Sequence, residues 1–107
     1  MIDLYTMLGN AIDNAIESVD HFTNEDKKVI SLSVKEQGKM IYISVENYYE
    51  GTIKFHRGYP ITHKKDKQNH GFGLKSIHMI AKRYGGDIRV STQNQIFLLQ
   101  IIIPISK

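Results

Sequence analysis

Twice between Ile30 and Glu46 the sequence alternates apolar and polar residues, and only a short glycine-bearing turn separates the two runs. Ile30, Leu32 and Val34 alternate with Ser31, Ser33 and Lys35. After Glu36-Gln37-Gly38-Lys39, Ile41, Ile43 and Val45 alternate with Tyr42, Ser44 and Glu46. Side chains along an extended strand point to opposite faces with a period of two, so each run predicts a half-buried strand. The short turn makes the pair an antiparallel hairpin. A second pair closes the chain: Ile88 and Val90 open one strand, Gln93-Asn94-Gln95 turns, and Ile96 to Ile103 is a nearly continuous apolar strand ended by Pro104. Strands with one apolar face require a covering layer.

Two helices can supply it. Leu4, Leu8, Ala11, Ala15 and Val19 recur at helical spacing and predict a helix from Asp3, as N-cap, to about Val19. Leu74, Ile77, Ala81 and Tyr84 share one face of a second helix over 74–84, which Gly85-Gly86 should stop. Between Tyr48 and His70 no period persists, so residues of about 48–70 read as a long loop. Loops of that length inside compact domains are usually functional lids or disordered. Helix, hairpin, lid, helix, hairpin predicts an α+β protein, a two-layer α/β sandwich. Its helices pack on one face of a mixed, mostly antiparallel sheet. At 107 residues the chain is one domain.

Composition excludes several classes. There is no cysteine, so disulfides and thiolate metal sites are ruled out. No apolar run reaches the roughly 20 residues of a membrane span, and Met1-Ile2-Asp3 does not open a signal peptide. A soluble, cytoplasmic chain is expected. Residues 1–50 carry nine acidic and four basic side chains, whereas residues 51–107 carry two acidic and ten basic ones. The basic half suggests an anionic ligand, whether nucleotide phosphates, nucleic acid or an acidic surface; the alternative is a solvated lysine-rich loop.

Asn10 and Asn14 lie four apart, on one face of the first helix. An amide oxygen is a hard ligand suited to Mg²⁺, which takes one or two protein oxygens together with phosphates and water; a solvated polar face is the alternative. In Asn69-His70-Gly71-Phe72-Gly73-Leu74-Lys75, two glycines precede the second helix. Glycines admit close approach of a ligand, and a helix N-terminus offers open N–H groups to a phosphate. A tight loop before a helix accounts for them equally well. Asn47 ends the series 41, 43, 45, 47, so parity places an amide on the buried side of its strand. There it could meet a purine edge or simply end the strand. Lys64, Lys65 and Lys67 in the loop could reach phosphates. The five histidines show no metal-ligand spacing.

In this order the motifs resemble the GHKL (Bergerat-fold) ATPase superfamily, over nearly the whole chain. Among its members the histidine kinases fit best: LGNAIDNAIES looks like their asparagine box, and HGFGLKSIHMIAKRYGGDIRVS like the second glycine box with its helix and strand. The resemblance implies ATP and Mg²⁺ as ligands, with Asn14 on the metal and Asn10 its partner one turn earlier. It implies that Gly71 and Gly73 hold the triphosphate at the base of the lid, with His70, Leu74, Lys75 and the lid lysines around it. Hydrolytic members carry a glutamate general base where this chain has Asn10, and an amide cannot take a proton from water. A kinase that transfers phosphate is therefore implied.

The first glycine box departs from the usual pattern, since Asn47 stands where typical kinases carry aspartate toward the adenine amine. In this the chain is similar to the peptide-pheromone receptor kinases of quorum sensing. The resemblance also implies a domain truncated on its N-terminal side and lacking the phosphorylated histidine. His21 does not resemble that motif, so no catalytic residue is expected within the chain. Implied partners are a dimerisation and histidine-phosphotransfer domain of the same receptor and, indirectly, a response regulator. The parent protein would be dimeric and membrane-anchored. Rival readings are an anti-sigma-factor serine kinase, a degenerate non-catalytic GHKL scaffold and a nucleic-acid module. The last lacks the aromatic and basic interleaving of an RNA-recognition motif.

Overall fold

The two hairpins join through their inner strands, a connection that neither hairpin encodes by itself. The computed structural model describes the backbone of residues 2–20, 22–50, 54–56, 59–61 and 67–105, and the side chains of these apart from 2–3, 54–56, 59–61 and 67–73. Helix α1 (Ile2–Asp20) leads through a 3₁₀ turn (Glu25–Lys27) to strands β1 (Ile30–Gln37) and β2 (Met40–Tyr48). Strands β3 (Lys54–His56) and β4 (Tyr59–Ile61), helix α2 (Lys67–Arg83), β5 (Asp87–Gln93) and β6 (Ile96–Pro104) follow. The main sheet runs β1-β2-β6-β5, while β3 and β4 pair separately. Every described pairing is antiparallel, so the sheet is not mixed as expected.

Both hairpin turns are two residues long, and their chemistry differs. Gly38 supplies a φ of +61° at the first central position of the β1–β2 turn. In the β5–β6 turn Asn94 and Gln95 both take positive φ, 55° and 64°. Two such residues in a row give the backbone twist that matches the flanking strands. At the end of α2, Gly85 adopts φ +85°; its N–H donates to the Lys82 carbonyl, and that of Gly86 donates to the Ala81 carbonyl at 2.7 Å. This crossed pair satisfies carbonyls that the helix end would otherwise leave open. Gly86 has a further role: a Cβ placed there would sit 1.9 Å from the Ile102 carbonyl oxygen.

The core lies between the helices and one face of the sheet. Met7, Ala11 and Ala15 of α1 and Leu74, Ile77, Ile80 and Ala81 of α2 meet Ile43, Val45, Phe97, Leu99, Ile101 and Ile103. α1 packs on α2 and β2, and α2 packs on β5 and β6. The predicted stripe on α1 is recovered with one addition, since Met7 is fully buried while Leu4 and Leu8 are partly so. Tyr84, predicted on the core face of α2, is exposed, and Ile80 takes its place.

Two larger differences concern β1 and the segment before Leu74. β1 has the predicted alternation, and Leu32 and Val34 face the helix side, opposite Val45 and Ile43. Yet they are 51% and 64% exposed. Alternation selects a face, and coverage depends on where the helices lie. The loop placed at about 48–70 contains β3 and β4, and α2 begins at Lys67 rather than Leu74, taking in Gly71 and Gly73. Glycine in a helix costs about 1 kcal/mol relative to alanine, which weakens a helix without forbidding it.

Candidate functional site

α1 carries its asparagines along the border between core and solvent. Asn10 and Asn14 are both half-buried, one helical step from buried Ala11 and Ala15. Nδ2 of Asn14 is buried and makes no hydrogen bond among the described residues. An orphaned buried amide atom costs on the order of 1–3 kcal/mol, so such a group in a native fold calls for a partner outside the protein. No hydrogen bond holds that end of the amide, so a half-turn about its last bond exchanges nitrogen for oxygen there. The side chain thus fits either a phosphate oxygen, as donor, or a hard cation, as ligand. Among the described residues no three of His, Cys, Asp or Glu converge. Asn14 would therefore hold Mg²⁺ only together with oxygens from a ligand and water.

Asn47 is the buried polar residue of the described core, 4% exposed at the end of β2, between Ile30 of β1 and Phe97 of β6. Parity predicts that position. Its Nδ2 donates to the Tyr48 carbonyl at 2.8 Å. A carbonyl only accepts, so one N–H of the amide is committed there and Oδ1 is turned the other way. Beside it, Lys27 Nζ lies 4.3 Å from the centre of the Tyr48 ring, a cation–π contact that ties the 3₁₀ turn to the end of β2.

The glycine box occupies a different local setting from the one its sequence suggests. Gly71 and Gly73 lie inside α2, so the open N–H groups of that helix fall on its first turn, before the glycines. Lys67 and His70 belong to that first turn. Lys64 and Lys65 lie outside the described residues, as does His21. Leu74 is buried in the core, 5% exposed, so only its backbone could face a ligand; Lys75 is exposed on α2. The elements that carry the motifs adjoin, because α1 packs on both β2, which bears Asn47 near its end, and α2, which carries the glycines.

Sequence reasoning missed one cluster. Asp87, at the start of β5, accepts at Oδ1 from the N–H of Ile88 at 2.8 Å. His78 Nε2 lies 2.9 Å from the same oxygen, and Lys82 Nζ lies 3.4 Å from Oδ2. The Ile88 N–H, followed by Lys82 and His78, holds the carboxyl below its ordinary range against a smaller opposing effect of burial. The cluster fastens α2 to β5. Its signal in the sequence was the spacing of His78 and Lys82, one turn apart on α2 and shortly before an aspartate.

Among the described residues no helix is long and apolar enough to cross a membrane. No curated protein matches the chain. Solved structures similar to it include the Acinetobacter baumannii histidine kinase AdeS, at 21% identity and TM-score 0.67, with 98% of this chain and 47% of that one covered. The catalytic domain of histidine kinase ThkA is similar at 23% identity and TM-score 0.71, with 96% of this chain and 66% of that one covered. The chain thus spans about half of one relative and two thirds of the other, and it shares their α+β fold. A family model described as the GHKL domain matches residues 1–104. With its two helices on an antiparallel sheet and its asparagine-bearing first helix, the chain belongs to the GHKL domain family.

Proposed function

We propose that the chain is the ATP-binding catalytic domain of a two-component sensor histidine kinase. It would bind ATP with Mg²⁺ and present the γ-phosphate to a histidine on a separate dimerisation domain. From there the phosphoryl group would pass to an aspartate of a response regulator. The parent protein would be a dimeric membrane receptor with this domain on its cytoplasmic side. Asn47, standing where typical kinases carry aspartate, supports a receptor similar to the peptide-pheromone receptor kinases of quorum sensing.

The observation that carries this reading is the orphaned amide of Asn14 on the asparagine-bearing face of α1. Mg²⁺, which Asn14 would hold together with the nucleotide, would supply charge neutralisation, which together with positioning is most of what phosphoryl transfer requires. The chain's own residues do the rest. Asn14 would offer its oxygen to the metal, and Asn10 would line the same flank without any capacity to deprotonate water. Asn47 offers an acceptor to the base. Lys64, Lys65, Lys67 and Lys75 supply positive charge, and the open N–H groups of α2 supply phosphate donors. Binding and protection of ATP follow from such a site, and hydrolysis does not.

The test is thermal unfolding of the chain with an unhydrolysable ATP analogue, with and without Mg²⁺. Ligand at a hundred times its dissociation constant should add about 2.7 kcal/mol of stability. No stabilisation at millimolar nucleotide in either condition would remove the nucleotide reading. It would leave a non-catalytic GHKL scaffold, which the inclusion of both glycines in α2 favours as the second reading.

A further inference from the structure

Asn47 can meet a base only along one edge. It is 4% exposed, so it offers a ligand its Oδ1 and little surface besides. The faces of a purine ring need a flat, apolar partner. Tyr48 and Tyr49 follow Asn47 directly, and the pleat sends them to opposite sides. Tyr48 faces away from the helices and carries Lys27 Nζ at 4.3 Å from its ring centre. Tyr49 extends the β2–β6 ladder by one bond, its N–H donating to the Gln95 carbonyl at 3.1 Å. Its side chain is half-buried against the core cluster, on the face that holds Asn47.

We propose that Tyr49 is the platform on which the purine ring of the nucleotide stacks while Asn47 accepts from its edge. This role rests on the ATP reading above and names the residue that holds the base by its face. Two residues of strand span about 7 Å, so one bicyclic base reaches both side chains. Packing against the core restrains the tyrosine ring. It has only two side-chain torsions to fix, so little freedom is lost when a base settles on it. The other described aromatic residues lack this combination. Phe22 and Phe97 are each 8% exposed and present no face. Tyr42 lies on the side of Tyr48, and Tyr5 and Tyr84 are exposed outside the core cluster. Every base has a π-face, so stacking is tolerant of base identity. Tyr49 therefore supplies affinity, and Asn47 supplies the choice between adenine and guanine.

The test compares binding of an unhydrolysable ATP analogue and of inorganic triphosphate, both with Mg²⁺, to the parent chain, Tyr49→Leu and Tyr49→Phe. Tyr49→Leu keeps an apolar side chain against the core and removes the ring. It should weaken the analogue about tenfold or more and leave triphosphate affinity unchanged. Tyr49→Phe keeps the ring and should bind both ligands as the parent does. Equal binding of the analogue by the parent and Tyr49→Leu overturns the role. Tighter binding by Tyr49→Leu overturns it too, since the ring would then fill the base site. A parallel loss for analogue and triphosphate would make Tyr49 a packing residue only. In the unsubstituted chain, the ring-proton resonances of Tyr49 should move upfield with the analogue and stay in place with triphosphate, because only a stacked base imposes a ring current. Resonances that do not move with the analogue overturn the stack, even where Tyr49→Leu fails to fold. A parent chain that binds neither ligand removes the ATP reading and this role with it. A parent that binds the two equally keeps its phosphate contacts and loses only the base platform.

Discussion

Asn47 donates its amide hydrogen to the carbonyl of the very next residue, Tyr48, at 2.8 Å. Because that carbonyl can only accept, the bond fixes which end of the amide is nitrogen and leaves Oδ1 as the acceptor end turned away from Tyr48. An amide free to rotate would accept either the amine of adenine or the carbonyl of guanine. One tied in this way favours adenine. The chain should therefore bind ATP more tightly than GTP, by roughly tenfold for one buried hydrogen bond. Asn47→Asp retains an acceptor but sets a carboxylate oxygen against the Tyr48 carbonyl, so it should lose about 1–3 kcal/mol of stability without sharpening the preference. The two dissociation constants and a urea melt of each protein decide the matter. Equal affinity for ATP and GTP in the parent chain would mean that the base is read elsewhere.

Asn14 should show the opposite signs for stability and function. Its Nδ2 is buried and makes no hydrogen bond among the described residues, so Asn14→Ala removes an uncompensated group and replaces a mediocre helix former with the best one. The variant should be as stable as the parent or more so, by up to about 1 kcal/mol, and should lose the Mg²⁺ dependence of nucleotide binding. A stability loss with Mg²⁺ dependence intact would make Asn14 a packing residue.

Glycine substitutions should separate two kinds of constraint. At Gly86 an added Cβ would lie 1.9 Å from the Ile102 carbonyl oxygen, which is backbone and cannot turn aside. Gly86→Ala should cost at least about 2–3 kcal/mol, at the upper end of overpacking effects. Gly38 has a φ of +61° with open space around it, so Gly38→Ala should cost only about 1 kcal/mol, the conformational cost of positive φ. Equal losses in chemical denaturation would contradict the close approach at residue 86.

Acidification should release the fastening of α2 to β5. Asp87 has its pKa lowered from the ordinary value of 3.8, chiefly by the Ile88 N–H and then by Lys82 and His78. A carboxyl with a depressed folded-state pKa contributes stability above its unfolded value and loses it as pH falls through the folded one. The difference in unfolding midpoint between the parent and Asp87→Asn should be present at about pH 5 and shrink below about pH 4. A difference that stays constant down to about pH 2 would show that the carboxylate's charge is not what matters.

Much of the architecture was legible because it is local. Period-two alternation located β1 and β2, Gly38 and the Asn94-Gln95 pair marked two tight turns, and Gly85-Gly86 marked the end of α2. Each depends on backbone preferences over a few neighbouring residues. Met7 escaped because Leu8 fits the same stripe nearly as well. A helical wheel places both within one broad apolar face, and only the position of α2 selects the one that is fully buried. The start of α2 escaped because two glycines read as a break, whereas a helix tolerates them when neighbouring contacts compensate.

What the sequence by itself determined is the set of elements, their order, the face each presents and the amide at the buried end of β2. What only the tertiary structure decided is which of those faces are covered and how the polar groups on them are paired. β2 meets β6 across some fifty residues of chain, a contact whose stability comes from the shared core and has no local sign. Leu32 and Val34 carry the same pattern as Ile43 and Val45, yet the helices lie over one strand and stop short of the other. The same limit applies to the amides. Asn14 and Asn47 are identical in chemistry, but the Tyr48 carbonyl holds one in a fixed direction while Nδ2 of the other reaches no partner among the described residues. Burial and hydrogen-bond direction belong to the surroundings of a side chain, and those surroundings are assembled only when distant segments pack.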